Sequence, residues 1–514
     1  MYSKIISGSA MGIDGMIVSV EADICQGLPG LSLVGYLASS VKEAGDRVRA
    51  ALRNVGYYLP SRKIIINLSP ADVRKEGSSY DLAIAVSILI SMGTFQLSNQ
   101  MYEDLQQTLF MGELSLDGSI LGVSGVLSVL DYAKSKGYKR FIVPSANAIE
   151  ASLVKEVDII PVDSLLDVVA IFLSGNWGKA FNPPIPPHNK NTTEYDLCDI
   201  KGQDTMKRGV IIAVAGFHNI LMTGAAGSGK SMIAKCIPGI MPPLTYSESM
   251  ILTKIYSVAG LLPPSSGMIN ERPFRSPHQN ISESVLCGGG ASPKPGEVSL
   301  ANSGVLFLDE FPEFKRSVIE SLRQPMEDKK VTVSRVKASY TFPANFMLVS
   351  ARNNCPCGHY PDRNKCRCTP GEIFRYQSKV SHPIMDRIDI RLEVSPVSYD
   401  QLFSNAKGIS SSEARNIITS ARKRQELRYK NENFIFNSQI PQSKIDQYVK
   451  LGQSEKDLLQ TIYQKSNLSA RGYFRLLRLS RTIADINDRE NITSCDIEEA
   501  IFYRNEDDKG RELI

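Results

Sequence analysis

Short apolar runs alternate with longer stretches of helical period over the first third of the chain. Residues 16–20, 63–68 and 141–143 read as strands, because brief apolar runs bounded by polar or turn residues suit a buried sheet. Residues 40–56, 80–92 and 126–137 space their apolar side chains three and four apart, the period of a helix with one buried face. The alternation predicts a compact α/β domain over residues 1–181. Next comes FNPPIPPHNKNTTEY, whose prolines can neither continue a helix nor donate within a central strand, so residues 182–195 are expected to be a linker. Strand and helix signals resume with glycine-rich turns over residues 196–395. From 396 to 514 the pattern is helical with almost no strand signal, and 411–429, 454–466 and 470–486 read as amphipathic helices.

Composition narrows the picture. A chain of 514 residues exceeds a single ordinary core, which agrees with this three-part layout. With 42% hydrophobic and 22% charged residues, it is neither mainly disordered nor collagenous nor a coiled coil. A net charge of +5 is small for the length, so any nucleic-acid footprint has to be local. The most apolar stretch, residues 82–92, is interrupted by Ser87 and Ser91 and is shorter than the roughly 20 residues that cross a bilayer. No cationic start leads into a sustained apolar core, so neither export nor a membrane span is expected, and the cytoplasm is the expected location. Nine cysteines, an odd number, do not read as a disulfide framework.

The chemistry concentrates at two places. Gly224-Ala225-Ala226-Gly227-Ser228-Gly229-Lys230-Ser231 is a complete GxxxxGK[ST] motif, shortly after the apolar run HNILM and before the helical MIAKCI. Gly224, Gly227 and Gly229, with Ser228 between them, allow a loop whose N–H groups face phosphates at a helix N-terminus. Lys230 would contact the β- and γ-phosphates of ATP, and Ser231 would ligate Mg²⁺. Downstream, GVLFL is a buried-strand run ending on Asp309 and Glu310. Asp309 would complete the Mg²⁺ shell and Glu310 would polarise the attacking water.

These motifs, with EFPEF, LRQPMEDKKVTVSR, FMLVSARN and HPIMDRID, resemble the magnesium-chelatase-like AAA+ ATPases and, within them, the YifB/ComM family. VEADICQGLPGLSLVG, NLSPADVRKEGSSYDLAIA, RPFRSPH, CPCG and LSARGYFRLLRLSRTIAD extend the likeness over essentially the whole chain. The resemblance implies an S5-like or Lon-C-terminal-like N-terminal domain, an AAA+ P-loop core with helices on both faces of a parallel sheet, and a C-terminal helical lid. It places Asn353 at the sensor-1 position, Arg387 where an arginine reaches a neighbouring subunit's nucleotide, and Arg471 at sensor 2. An arginine given in trans requires a ring, so a homo-hexamer follows from the resemblance. Ala225 and Ala226 stand where the family usually has prolines, His382 where glycine is usual, and Asn354 where proline is usual.

Arg74-Lys75-Glu76-Gly77-Ser78-Ser79 looks like the nucleophile loop of Lon-type proteases, with Ser79 at the serine position. The base lysine's position aligns with Leu127, and a serine without its base is no nucleophile. The domain is therefore expected to serve as a collar, clamp or DNA guide without peptidase activity.

Cys355-x-Cys357 and Cys366-x-Cys368, an insertion over 355–368, offer four thiolates compatible with tetrahedral Zn²⁺. His359 is an alternative ligand, and reduced or redox-active thiols are the plainer reading. Arg272 and Arg275 in RPFRSPH, with Lys329, Lys330, Arg335 and Lys337 around an expected VTVSRV hairpin, are candidates for a pore that tracks DNA phosphates. Arg363, Lys365 and Arg367 add a second basic patch; solvated loop charges are the ordinary alternative. The family resemblance implies ATP-driven branch migration of recombination intermediates, with recombination proteins as partners. A chelatase-type subunit and a protein remodeller without proteolysis are the alternatives.

Overall fold

The computed structural model describes residues 2–183, 195–263, 267–290, 293–335, 338–395, 399, 408–465 and 468–504. Most of the expected linker therefore lies outside the described residues.

The N-terminal part is a seven-stranded mixed sheet in the order Gly30–Val34, Lys63–Ser69, Asp14–Cys25, Tyr2–Met11, Thr108–Phe110, Arg140–Pro144, Asp158–Val162. Three expected strands are present, at Asp14–Cys25, Lys63–Ser69 and Arg140–Pro144. The first hairpin is antiparallel in unbroken register from Tyr2–Asp23 to Met11–Asp14, and the strands from Thr108 onward run parallel. Helix Asp81–Ser91 has every residue buried, which explains its short repeat of apolar side chains all round. The helix expected over 40–56 forms as two pieces, Ser39–Lys42 and Ala44–Asn54.

A second sheet of five parallel strands follows in the order Phe274–Arg275, Val305–Leu308, Met347–Arg352, Ile220–Gly224, Ile390–Val394. Its three central strands are wholly buried, as expected of a parallel sheet covered on both faces. The hairpin Lys330–Arg335 with Ala338–Pro343 projects just before Met347–Arg352. The C-terminal helices Ser411–Arg428, Gln453–Lys465 and Ala470–Ile486 lie where the periodicity places them. Their apolar faces share one core with helix Asp204–Gly216 and the sheet, so Ile418, Leu476 and Ile483 pack with Val210, Ile220 and Val349. The lid is thus bound to the nucleotide module through a common core.

The two α/β parts touch. Lys254 pairs with Asp131 at 2.5 Å, Ser257 donates to the buried Glu150, and Gly125 N–H donates to Ser257 O at 3.2 Å. A cavity of about 550 Å³ lies between them, lined by Ser79, Glu113, Val258 and Tyr340 among others. At Gly12, φ is +68° and a side-chain carbon would come within 3.0 Å of Thr341 O on the hairpin, so glycine is required where the N-terminal domain meets that hairpin.

Candidate nucleotide site

The loop 224–231 joins the buried strand Ile220–Gly224 to helix Lys230–Ile240. Gly227 and Gly229 have φ of +76° and +91°, the left-handed backbone that lets the loop curl. Lys230 Nζ donates to Gly224 O at 2.9 Å, to Ala225 O at 2.8 Å and to Asn353 Oδ1 at 3.2 Å. Burial lowers its pKa, and the nearby Asp309 opposes that. Ser231 Oγ donates to Asp309 Oδ2 at 2.8 Å, so the two residues expected to hold Mg²⁺ stand side by side although 78 positions apart. Both are oxygen donors, the kind Mg²⁺ accepts. Asp309 Oδ1 accepts from the Glu310 N–H at 2.9 Å.

Glu310 is exposed and has φ of +49°, unusual for a residue with a side chain. Such backbone strain collects at functional positions. The strand Met347–Arg352 lies between the strands that lead to Lys230 and Asp309, and Asn353, just past its end, accepts from Lys230. Sheet order therefore brings together Gly224, Gly227, Ser228, Gly229, Lys230, Ser231, Asp309, Glu310 and Asn353.

Neither expected arginine bonds to the phosphate loop among the described residues. Arg387 is buried, donating to Pro383 O at 2.6 Å and pairing with Glu327 at 2.6 Å. Arg471 is exposed in the first turn of helix Ala470–Ile486, and no partner is present for it among the described residues.

Asn219 and Gln203 were missed in the sequence. Asn219 receives Leu348 N–H at 2.9 Å, donates its side chain to Arg387 O at 3.1 Å and its N–H to Asp389 at 3.1 Å. It ties the strand before the phosphate loop to the segment holding Arg387. Gln203 donates to Ser228 O and Ser395 O at 3.2 and 3.1 Å. Asn219 opens the apolar run that enters the motif, a polar residue where a buried strand begins, which is the one local hint it offered.

The DNA candidates divide. Arg272, with 6% of its side chain exposed, is held by Pro242 O, Pro243 O, Ser303 O and Glu248, so it is a structural tie inside the core module. Arg275 makes a two-point pair with Glu297 at 2.7 and 2.8 Å. Lys329 is half-buried rather than solvated, and Asp389 and Arg475 are its charged neighbours. Lys330 is exposed on the hairpin, where Arg335 closes the strand. Lys337 lies outside the described residues.

Burial pushes the Lys329 ammonium down from 10.5 to about 8 despite the attraction of Asp389. With the folded value below the unfolded one, this position contributes more stability as pH rises from 8 toward 10.5. Lys329→Met is expected to raise the melting temperature by a few degrees at pH 7 and by less at pH 10. Equal gains at both values in a calorimeter would rule out charge burial as the cause.

The four thiols of Cys355, Cys357, Cys366 and Cys368 lie within 4.8 Å of one another. Three of the sulfur–sulfur separations are 3.3, 3.6 and 3.7 Å. A tetrahedron with zinc–sulfur bonds of about 2.3 Å has edges of about 3.8 Å, so the cluster has the right size. His359 is exposed, and its backbone N–H lowers the Cys357 pKa.

Ser79 is buried and donates to Gly8 O at 3.0 Å, while Leu127 is fully buried with its N–H on Glu150 at 2.9 Å. Leu127, the residue at the aligned base position, has no side-chain group that could take a proton from Ser79.

A GxxxxGK[ST] loop between a buried strand and a helix, an acidic strand end beside it and a polar residue just past the strand between them form the arrangement of a P-loop ATPase. The family profile described as magnesium chelatase, subunit ChlI, matches residues 196–402. Those described as subunit ChlI of Mg-chelatase and as its C-terminal part match 20–147 and 408–504. The chain is 39% identical over 499 residues to the uncharacterized protein YifB of Salmonella typhimurium, covering 96% of each chain. It is 38% identical over 509 residues to the competence protein ComM of Haemophilus influenzae, covering 97% of each. To the Lon protease of Mycolicibacterium smegmatis it is 28% identical over 173 residues, 32% of this chain and 21% of that one. The chain belongs to the YifB/ComM family of magnesium-chelatase-like AAA+ ATPases, whose cofactors are ATP and Mg²⁺. No helix among the described residues is long and apolar enough to cross a membrane.

Proposed function

We propose that this ATPase is a DNA motor of the cytoplasm, a homo-hexameric ring that uses ATP hydrolysis to drive branch migration of recombination intermediates, alongside recombination proteins. One observation carries the reading. The hairpin Lys330–Arg335 with Ala338–Pro343 leads within four residues into the strand Met347–Arg352, and Asn353, the next residue, bonds to Lys230. A change at the γ-phosphate thus has a short route to a hairpin that starts at the exposed Lys330. Lys330, with Arg363, Lys365 and Arg367 exposed on the cysteine loop, supplies cations that a ring would repeat around its axis. Arg387 serves the neighbouring subunit's nucleotide once released from Glu327, and Arg471 serves its own from the lid. The name of the Haemophilus relative, a competence protein, supports a role in DNA uptake and recombination. The four thiols hold Zn²⁺ as a closed structural site.

The test is the ATPase rate with and without a four-way DNA junction at two salt concentrations, with Glu310→Gln as the blank. Several-fold stimulation that weakens with salt is expected. No stimulation and no DNA binding would remove the motor reading and leave protein remodelling or a chelatase-type partner as the function.

A further inference from the structure

The cysteine loop rests directly on the phosphate loop. Gly358, between Cys357 and His359, accepts the Ala226 N–H at 3.0 Å. Its φ is +78°, and a side-chain carbon there would lie 3.0 Å from Ala226 Cβ and 3.8 Å from Asn353 Nδ2. Asn353, two residues before Cys355, receives Lys230 Nζ, and Gln377 donates to Asn354 O at 3.1 Å. One end of the cysteine loop is therefore fastened to the sensor residue, and its inner turn to the shoulder of the phosphate loop.

Within itself the loop is held by turn hydrogen bonds such as Cys366 N–H to Asp362 O at 2.8 Å and Asn354 to Tyr360 O at 3.2 Å, and its apolar core is small. Its apolar cluster consists of Cys355, Cys366 and Ile373, with Tyr360 and Cys368 against them, so two of the three buried members are themselves thiols. A segment with so small a core needs a cross-link to keep one conformation. A metal ion held by four thiolates provides it, because the bonds fix the sulfur positions and their formation is coupled to local folding.

We infer that zinc in the four-cysteine knot is a strap on the phosphate loop: metal loading fixes the Gly358–Ala226 contact and thereby sets nucleotide affinity. The inference rests on the readings of the thiols as a zinc site and of residues 224–231 as the nucleotide site. Loss of metal loosens the Gly358 turn, and the phosphate loop has to be ordered by the nucleotide itself, which weakens binding. Ordinary Mg²⁺-dependent chemistry at Ser231 and Asp309 is not altered, so the effect falls on binding rather than on the hydrolysis step.

The experiment uses the full chain. Zinc is counted by elemental analysis, and the dissociation constant of a fluorescent ATP analogue is measured at fixed Mg²⁺ before and after a zinc-selective chelator. One zinc per chain is expected, with binding weakened about fivefold to tenfold on removal, the scale of one or two lost hydrogen bonds, and restored by added Zn²⁺. Gly358→Ala is expected to retain zinc and still bind nucleotide about fivefold more weakly, which separates the contact from the metal. Wild-type protein that neither carries nor takes up zinc overturns the metal site. Stoichiometric zinc whose removal leaves nucleotide affinity unchanged overturns the strap alone. If the untreated protein binds no nucleotide, the reading of residues 224–231 fails instead.

Discussion

Glu310→Gln is expected to bind ATP as the parent does and to hydrolyse it at least a hundredfold more slowly, within the range of about 10² to 10⁴ for loss of a positioned base. The side chain is exposed at the strand end, and its own N–H is held by Asp309 Oδ1 at 2.9 Å, so the residue is positioned by backbone rather than by packing. Glutamine keeps the shape and the left-handed backbone requirement while removing the proton acceptor. Lys230→Ala is the contrasting case, because Lys230 Nζ is tied to Gly224, Ala225 and Asn353 within the loop proposed to hold the phosphates. On the proposed nucleotide site, that variant is expected to lose binding and turnover together. Equilibrium binding of a fluorescent ATP analogue, read beside single-turnover hydrolysis, distinguishes the two patterns. Unchanged turnover in Glu310→Gln would remove that residue from the base role.

Asp389→Asn is expected to be the most damaging of the conservative changes for stability. Asp389 is buried, its Oδ1 accepts from Arg475 at 2.8 Å and its Oδ2 from Asn219 N–H at 3.1 Å, with His218 Nδ1 at 3.5 Å. Burial alone would raise its pKa, but Arg475, His218 and Arg504 hold it well below the usual carboxylate range. Removing the charge strands buried cations, which costs roughly 3–5 kcal/mol. The melting temperature should fall by on the order of 10 °C. The folded value lies below the unfolded one, so the stabilisation is complete above the unfolded pKa of about 4 and is lost only as pH falls further. The deficit should therefore persist from pH 6 to pH 9 by thermal denaturation, shrinking only by the share of the Lys329 ammonium, which loses its proton near 8, and a deficit that disappears at pH 9 would contradict the ionic assignment. Because Asn219 also holds Arg387 O, hydrolysis should fall in any Asp389 variant that still folds.

Much of the site was legible because its signals are local. A GxxxxGK[ST] loop between an apolar run and a helix, or two carboxylates closing a buried strand, each state their backbone geometry in a few adjacent residues. Helix periodicity was equally local, and Ala470–Ile486 formed over the residues its pattern marks. The basic residues were not legible in this way. Arg272 is occupied by Glu248, Arg275 by Glu297, and Lys329 sits near Asp389, 60 positions on; nothing next to each cation announces its partner. A lone arginine reads the same in a pore as in a buried tie, since its charge and length suit both.

The sequence by itself determined which elements form and which residues can do phosphate and thiolate chemistry, because propensity, period and motif spacing act over a few residues. Only the tertiary structure decided which of those groups meet. Sheet order set Asn353 between Lys230 and Asp309. Chain packing laid Gly358 on Ala226 across 132 positions and placed Thr341 of the hairpin against Gly12. It also closed the lid and the nucleotide module around one core. These contacts depend on how buried faces match across the whole chain, and a pattern read residue by residue carries no term for that matching.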